Sequence, residues 1–375
     1  MRTFKVALFS DNVASSTFAG VISGWSHALV AAGQKDIDVV SFVGDPSVEA
    51  HSPFPPEVTF VNLPASRTLH AILALRRYLE STAPDILVSA GTHVNLAALI
   101  AAKLSRWPGK LIISNHHPIA LEHAFSRKDN KYLASIMYPW AAGLIAVSPT
   151  VLQDGAQKCR LKPEQMECVP NVLPPANSID DSSPVHEWLS TERPVGPVFV
   201  TLSRLAAVKN YPLLLDAFAK VAAKLDSRLL ILGSGPEEQN IRSMIEAKGL
   251  VGKVALTGFV DSTLPYLRKA DAFVIASNEE GFCQVLAEAM REGLPVISTD
   301  AQGGGPKFVL DDGRCGMLVP MQNVDALAQA MLAMEDVDVR RKYSELGQRR
   351  VRNFSPEALA DVFYSFILRI HSAAD

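Results

Sequence analysis

The 375-residue chain has little of what marks several classes of protein. It holds only four cysteines and no Cys-x-x-Cys pair, so neither a disulfide framework nor a zinc ribbon is expected, and the thiols are predicted to be reduced and mostly buried, as in a cytosolic protein. The formal net charge is −3, which gives no whole-chain signature of nucleic-acid binding. A soluble globular enzyme or binding protein is left as the expected class.

Long uninterrupted apolar runs are also missing. The longest apolar stretch, 134–152, contains Pro139, Gly143 and Pro149, so it predicts a helix end, a strand and a new helix rather than a membrane span. The beginning of the sequence, "MRTFKVALFS", is typical of a strand, so no signal peptide is expected. A cytoplasmic location is therefore predicted.

Short apolar runs alternate with helical stretches along both halves of the chain. Continuous apolar runs are typical of parallel strands that are covered on both faces, and this alternation predicts an α/β fold with two Rossmann-like, doubly wound domains. The predicted strands are 4–10, 37–42, 58–63, 85–90, 110–115 and 142–148, then 198–203, 228–233, 253–259, 271–277, 294–300 and 315–320.

A proline-rich segment separates the two series. The stretch 170–197 holds six prolines and little apolar periodicity, which is typical of a linker. We predict an N-terminal domain over 1–172, a linker over 173–196 and a C-terminal domain over 197–354. Because such sheets bind ligands at the carboxyl ends of their strands, two of them in tandem predict domains that face each other across a crevice.

The stretch "EEGFCQVLAE" places two carboxylates, Glu280 and Glu288, eight residues apart beside Gly281. In helical register they would be about 12 Å apart along the axis, too far to share a proton but suited to the two ends of a long ligand. Gly281 would let a phosphate approach backbone amides near the helix start. On this stretch alone, an ordinary surface helix with two solvated glutamates remains an equal alternative.

Three further features follow predicted strands. Arg204 and Lys209, in "SRLAAVKN", are suited to clamping a diphosphate, although this stretch alone favours two solvated loop cations. Gly233, in "LILGSGP", lies in a glycine-rich turn that is weak evidence for phosphate contact. His116 and His117 follow the strand 110–115, where a histidine can donate a hydrogen bond or carry a proton near neutral pH, or can be purely structural.

Taken in order, these motifs resemble the GT4 group of retaining glycosyltransferases of the GT-B fold. The resemblance covers most of 198–320, and "AVSPTVLQD" and "VPN" also fit. The segment "GGGPKFVLDDGRCG" resembles a subgroup that often transfers N-acetylhexosamines in the synthesis of polysaccharides or lipid-linked glycans, although that subgroup usually has an acidic residue where Phe308 stands. The remaining matching segments are "SRLAAVKN", "LILGSGP", "VALTGFVD", "ADAFVIASNEEGFCQVLAEAM", "GLPVIST" and "DGRCGMLVP".

The resemblance implies a role for each candidate residue. Arg204 and Lys209 neutralise the donor diphosphate, and Glu288 accepts hydrogen bonds from the ribose hydroxyls. His116 contacts the donor sugar or the acceptor. The donor sugar is held by Glu280 and the amides of Gly281, Phe282 and Cys283; Gly233, Gly258, Phe259 and Val260 complete the donor site; His117 and Gly20, which stands where many relatives have two adjacent glycines, belong to an acceptor and phosphate loop.

The function implied is transfer of a sugar from a nucleotide sugar, most simply a UDP-sugar such as a UDP-N-acetylhexosamine, to a glycan, lipid-linked or small-molecule acceptor, with retention. No metal or other cofactor is expected, because two fixed cations can stabilise the departing diphosphate and no Asp-x-Asp motif lies in a suitable loop. The resemblance also implies that the last helix, 355–375, crosses back to the N-terminal domain.

Two alternatives stay open: an epimerase or hydrolase of sugar nucleotides on the same fold, and a non-catalytic nucleotide-sugar-binding subunit. The complete set of Arg204, Lys209, Glu280 and Glu288 disfavours the second. A dehydrogenase is disfavoured because no Gly-x-Gly-x-x-Gly follows the first strand.

The segment Lys103–Lys131 has six basic and two acidic residues, interleaved with Trp107 and Phe125 and followed by Tyr132. It predicts either a solvated basic face or peripheral contact with an anionic membrane, and the latter would suit a lipid-linked acceptor.

Overall fold

The computed structural model describes residues 4–13, 18–42, 54–65, 68–124, 130–175, 185–260 and 262–373. The chain divides into two compact units: unit 1 comprises Met1–Asn177 and Asn353–Asp375, and unit 2 comprises Ser178–Arg352. None of the helices formed by the described residues combines the length and the apolar character needed to cross a membrane.

Unit 1 is built on a parallel seven-stranded sheet with the order β3-β2-β1-β4-β5-β6-β7. All six strands predicted from the first half are present. β7 was not predicted, because its three half-buried residues give no apolar run. The strands are β1 (Val6–Ser10), β2 (Ile37–Ser41), β3 (Val58–Asn62), β4 (Ile86–Ala90), β5 (Lys110–Asn115), β6 (Gly143–Ala146) and β7 (Met166–Cys168).

In the described part of unit 1, six α-helices accompany this sheet. The last of them, α13, begins after Ser355, whose side chain accepts a hydrogen bond from the Ala358 amide and caps the helix. It packs against α1, where Phe363 contacts Trp25 with the ring centroids 5.6 Å apart. The helices of unit 1 are α1 (Ala19–Ala31), α2 (Thr68–Thr82), α3 (Thr92–Leu104), α4 (Asn130–Met137), α5 (Pro149–Lys158) and α13 (Pro356–Ser372).

Unit 2 has a parallel six-stranded sheet with the order β10-β9-β8-β11-β12-β13, and all six of its predicted strands are present. The strands are β8 (Val198–Leu202), β9 (Arg228–Leu232), β10 (Val254–Gly258), β11 (Ala272–Ile275), β12 (Val296–Thr299) and β13 (Met317–Val319). The helices are α6 (Tyr211–Ala222), α7 (Glu238–Ala247), α8 (Leu264–Lys269), α9 (Gln284–Arg291), α10 (Gly305–Val309), α11 (Val324–Leu332) and α12 (Val337–Val351).

Each sheet reverses its strand order once. In unit 1 the reversal lies between β1 and β4, and in unit 2 it lies between β8 and β11. The connections that leave neighbouring strands at such a point diverge to opposite faces, which opens a cleft at the carboxyl edge where ligands bind. From the topology we therefore expect ligand-binding residues in the segments that follow β8 and β11 in unit 2, and in those that follow β1 and β4 in unit 1.

Candidate active site

The two segments at the reversal point of unit 2 carry three charged residues of the predicted site. Arg204 and Lys209 follow β8, and Glu280 follows β11. The Lys209 ammonium lies 2.6 Å from Oε1 of Glu280, and the same carboxylate oxygen accepts a hydrogen bond of 2.8 Å from the Ser277 hydroxyl. Two cations and one carboxylate of the predicted set therefore belong to one edge of one sheet.

This ion pair is largely shielded from solvent. The side chains of Lys209 and Glu280 are 17% and 8% exposed. Burial acts to lower the pKa of the Lys209 ammonium, but the Glu280 carboxylate beside it outweighs that effect, and the pKa ends above its ordinary value. Lys209 is thus a fixed positive charge at neutral pH, whereas the Arg204 side chain is exposed.

The backbone around Lys209 is held by an asparagine. Asn210 has a left-handed conformation with φ 51°, and its side-chain oxygen accepts a hydrogen bond of 3.4 Å from the Leu213 amide, which caps α6. Its amide nitrogen donates to the Asn278 side chain over 3.0 Å, and the Asn278 backbone amide donates to the Val208 carbonyl over 2.8 Å. The two loops are therefore joined directly, which fixes the distance between Lys209 and Glu280.

A third loop supports Glu280 from its other side. The Glu280 amide donates to the Gln302 carbonyl over 2.8 Å, and the Gly305 amide donates to the Glu280 carbonyl over 3.0 Å. At Gly305 a Cβ atom would lie 2.5 Å from the Phe282 nitrogen, so only glycine permits this approach. Phe282 is buried and packs against Phe308 with the ring centroids 6.4 Å apart. Phe308 thus packs against the loop that carries Glu280.

Glu280 lies in the loop before α9, so the helical register used to gauge its separation from Glu288 does not hold. Cys283 adopts a left-handed conformation with φ 70°, and α9 begins only at Gln284. Glu280 and Gly281 therefore precede the helix, and the separation of 12 Å along a helix axis does not apply to the two carboxylates. Glu288 lies within α9 and is half-buried, and burial raises the pKa of its carboxyl above the ordinary value.

Four further donor-site candidates lie at the carboxyl ends of β9 and β10. At Gly233, which follows β9 with φ 133°, a Cβ atom would lie 2.1 Å from the Ser203 carbonyl oxygen, so close packing of two loops requires glycine. Its amide donates to the Gly258 carbonyl over 2.8 Å. Phe259 is 75% exposed and Val260 is half-buried at the end of β10. These residues share the sheet edge with Arg204.

Two residues at this edge were not predicted. Ser277 positions the Glu280 carboxylate, and its place directly after the apolar run of β11 is the only sequence signal for it. Glu279 is half-buried, its Oε2 atom is fully buried without a hydrogen-bond partner among the described residues, and burial raises the pKa of its carboxyl. The sequence shows a second carboxylate next to Glu280, but only the structure shows that it is shielded from solvent.

In unit 1, His116 follows β5 and is almost buried, with 9% of its surface exposed. Its Nε2 atom lies 2.8 Å from the Ser114 hydroxyl, and its ring makes an edge contact with Phe18 at 4.8 Å. Burial, together with the neighbouring His117, lowers the pKa of the imidazole to about 3. The ring is therefore uncharged at neutral pH, with one N–H donor and one acceptor nitrogen, and it does not carry a second proton there.

The other predicted residues of unit 1 occupy ordinary positions. Gly20 lies in the first turn of α1, and a Cβ atom there would meet no described residue within 4 Å. His117 is half-buried beside His116. Phe125 lies outside the described residues.

The reversal point of unit 1 brings together two residues that were not predicted. Asp11 follows β1 and His93 opens α3, and Nε2 of His93 lies 3.2 Å from Oδ2 of Asp11. Burial acts to raise the pKa of the Asp11 carboxyl, but hydrogen bonds from His93 and the Asn12 amide outweigh it and hold the pKa below its ordinary value. The two residues are far apart in the sequence, so no local pattern signals them.

Two family models match the chain, one on each side of the proline-rich segment. The model described as Glycosyltransferase Family 4 matches residues 21–176, and the model described as Glycosyl transferases group 1 matches residues 196–336. Together they account for the region in which the motifs and the two sheets lie.

Curated relatives agree with these models. A phosphatidyl-myo-inositol mannosyltransferase of Mycobacterium leprae is 29% identical over 93% of this chain and 88% of its own length. An N-acetylgalactosamine-N,N'-diacetylbacillosaminyl-diphospho-undecaprenol 4-alpha-N-acetylgalactosaminyltransferase of Campylobacter jejuni is 28% identical over 66% of this chain and 66% of its own length. Several other relatives match over about half of their length or less.

A solved structure shows the same architecture. The Anabaena protein HepE in complex with UDP and glucose superposes with a TM-score of 0.73 at 19% identity, covering 96% of this chain and 98% of that one. At this identity the likeness establishes the fold, which is GT-B. The two family models, the relatives and the fold together show that this chain belongs to the GT4-type glycosyltransferases.

Proposed function

We propose that the protein transfers a sugar with retention from a nucleotide sugar, most simply a UDP-sugar, to a glycan or lipid-linked acceptor, without a metal. The observation that carries the proposal is the buried pair of Lys209 and Glu280 at the reversal point of unit 2, with Arg204 on the same sheet edge. The HepE structure in complex with UDP and glucose supports UDP as the nucleotide.

Lys209 suits the stabilisation of a departing diphosphate. Its ammonium has three donor hydrogens, and the contact with Glu280 uses one of them, which leaves two for phosphate oxygens. Because it is buried and held by a carboxylate, its charge needs no rearrangement when negative charge develops on the leaving group. The exposed guanidinium of Arg204 offers a second, forked set of donors.

The carboxylates would hold the two ends of the donor. Glu280 and the amides of Gly281, Phe282 and Cys283 are the proposed contacts of the sugar, and Glu288 is the proposed contact of the ribose hydroxyls. The buried Oε2 of Glu279 would be satisfied by a sugar hydroxyl, since an unpaired buried acceptor is costly. Phe259, largely exposed after β10, is suited to stacking on the base, with Gly258 and Val260 beside it and Gly233 on the preceding loop.

The acceptor is assigned to unit 1. Uncharged His116 would act as a hydrogen-bond partner, with His117 next to it in the chain and Gly20 two residues after Phe18, whose ring contacts His116. Asp11 and His93 lie at the reversal point where such sheets bind ligands. The Campylobacter and Mycobacterium relatives carry lipid-linked or lipid acceptors in their names, which supports a lipid-linked acceptor and contact with a membrane. We also propose a cytoplasmic location, with that contact peripheral and at an anionic membrane.

The test begins with thermal-shift screening of UDP-, GDP- and ADP-sugars, because a ligand that binds the folded state raises its stability. The stabilising donor is then incubated with isolated lipid-linked glycans, and the products are identified by mass spectrometry with and without EDTA. We expect a new glycoside that forms equally well in EDTA.

The matched variants are Arg204→Gln at the site and Arg242→Gln, whose exposed guanidinium pairs with Glu238 elsewhere in unit 2. Only the first should lose activity. Free sugar without glycoside would indicate a hydrolase, and an isomerised donor would indicate an epimerase. Loss of activity in EDTA with recovery in magnesium would overturn the metal-free mechanism.

A further inference from the structure

A groove of about 860 Å³ lies in unit 1, away from His116 and Asp11, and residues of the basic segment 103–131 line part of it. It is lined by Lys110 at the start of β5, by Ala142 just before β6 and by Gln165 just before β7. These strands are parallel, so the groove is at the amino edge of the sheet, whereas His116 and Asp11 follow strand ends at the carboxyl edge. A strand of five residues separates the edges by about 17 Å.

The groove is rich in positive charge. Among the residues that the structure describes, four cations and one carboxylate, Glu164, line it. Lys103 and Lys162 are exposed, and Lys103 belongs to the last turn of α3. Arg369 pairs with Glu167 outside the groove at 2.8 Å, and the Lys110 ammonium donates to the Ala373 carbonyl. The lining thus favours an anion, with Lys103 and Lys162 as the side chains best placed to reach it.

Two indole rings flank these cations. Trp107 is fixed by a hydrogen bond of 2.6 Å from its Nε1 atom to the Pro84 carbonyl. Trp140 lines the groove and is nevertheless 51% exposed. Tryptophan with one apolar and one polar side is typical of the boundary between water and the hydrocarbon of a membrane.

The helix α4 ends three residues before Trp140 and has an exposed apolar side. Tyr132, Leu133 and Ile136 are 63%, 44% and 65% exposed, and at about 100° per residue they fall within an arc of about 100° on one side of the helix. The opposite side is buried, as Ala134 and Met137 show. An apolar strip of this kind, next to a cationic groove, is unusual on a surface that meets only water.

We propose that this groove and the exposed side of α4 form one binding surface for an anionic lipid. Lys103 and Lys162 would hold the phosphate of the headgroup, while Tyr132, Ile136 and Trp140 would enter the headgroup layer of the bilayer. The combination of anion-binding and apolar contacts in one place favours a lipid over a soluble anion. The inference deepens the membrane contact proposed above, and it holds whether or not the chain transfers sugar.

The experiment measures sedimentation of the whole chain with vesicles of phosphatidylcholine alone and with vesicles that also contain phosphatidylglycerol. We expect binding that requires the anionic lipid and weakens as salt is raised. Each cation near an anionic leaflet contributes enough for roughly a fivefold change, so the double variant Lys103→Glu/Lys162→Glu should bind roughly thirtyfold more weakly or worse. Ile136→Ser/Trp140→Ser should also reduce binding and leave no shift of tryptophan emission on adding vesicles.

Matched controls are exposed residues of unit 1 outside this surface. Lys35→Glu and Val362→Ser should bind vesicles as the wild type does. Circular dichroism and thermal unfolding must show that all variants fold. Transfer to an acceptor held in detergent should be unchanged in them, so failure of the lipid surface and failure of the enzymatic assignment are distinguishable.

Three results would overturn the proposal. Equal vesicle binding by the wild type and both site variants would show that the surface is not used. Binding of millimolar inorganic phosphate without any binding to vesicles would make the groove a site for a soluble anion. Self-association that is abolished by Ile136→Ser, measured by sedimentation velocity without lipid, would show that a second copy of the chain covers α4.

Discussion

The pair of Lys209 and Glu280 should stabilise the fold as well as serve the reaction. In Lys209→Met, the Glu280 carboxylate would remain 8% exposed with the Ser277 hydroxyl as its described side-chain partner. Removing one partner of a buried ion pair costs about 3–5 kcal/mol, and since Lys209 retains 17% exposure we expect about 3 kcal/mol. The double variant Lys209→Met/Glu280→Gln removes the stranded charge, so it should regain about 2 kcal/mol of that loss.

Urea unfolding followed by circular dichroism measures the stability of the three proteins, and initial rates of transfer measure their activity. Both variants should be at least about 10²-fold slower than the wild type, because the contact with the leaving group is lost in each. The control is Lys220→Met, whose pair with Asp325 is 50% and 79% exposed, and its loss should cost less than about 1 kcal/mol. A double variant no more stable than Lys209→Met would refute the reasoning, since Glu280 would then not depend on the ammonium.

Two further predictions concern the other titratable residues. Glu288→Gln should weaken binding of UDP about ten- to a hundredfold, while Glu280→Gln should spare UDP binding and lower turnover. Calorimetric titration that finds equal losses of UDP affinity would contradict the assignment of Glu288 to the ribose and Glu280 to the sugar of the donor. The imidazole of His116 takes up its second proton near pH 6.5 in the unfolded chain and near pH 3 in the folded protein. Its contribution to the free energy of unfolding is therefore complete above pH 6.5 and is lost as the pH falls towards 3. Relative to His116→Gln, the wild type should lose about 2 kcal/mol between pH 6.5 and 5, and identical pH profiles of urea unfolding would count against a buried neutral ring.

The fold was largely predictable because parallel strands buried on both faces leave an unmistakable apolar run. The strand β7 was not predicted, because its three half-buried residues at the edge of the sheet form no such run. The order of strands was not predictable, and it is the order that brings the loop of Lys209 next to that of Glu280. The residues of both loops were identified from motifs, while the direct contact between the loops could be seen only in the structure.

The details of the site that the sequence left open depend on backbone geometry and burial. Nothing in "EEGFCQ" signals that Cys283 takes φ 70°, which ends the loop of Glu280 and starts the helix at Gln284. Asp11 and His93 meet across two strands, so their pairing depends on the register of β1 and β4. For His116 the sequence allowed a hydrogen-bond donor, a proton carrier or a structural residue, and burial holds the imidazole uncharged at neutral pH.

Unit 1 is discontinuous along the chain, and this has a consequence for the order of folding. Phe363, Phe366 and Ile367 of α13 belong to the same core cluster as Trp25, yet they are synthesised after all of unit 2. During translation the surface of α1 that receives α13 must stay uncovered while unit 2 already has every residue of its own sheet. Unit 2 can therefore complete its fold first, and unit 1 closes only as the last segment arrives, a period in which Trp25 and its apolar neighbours are open to chaperones and proteases.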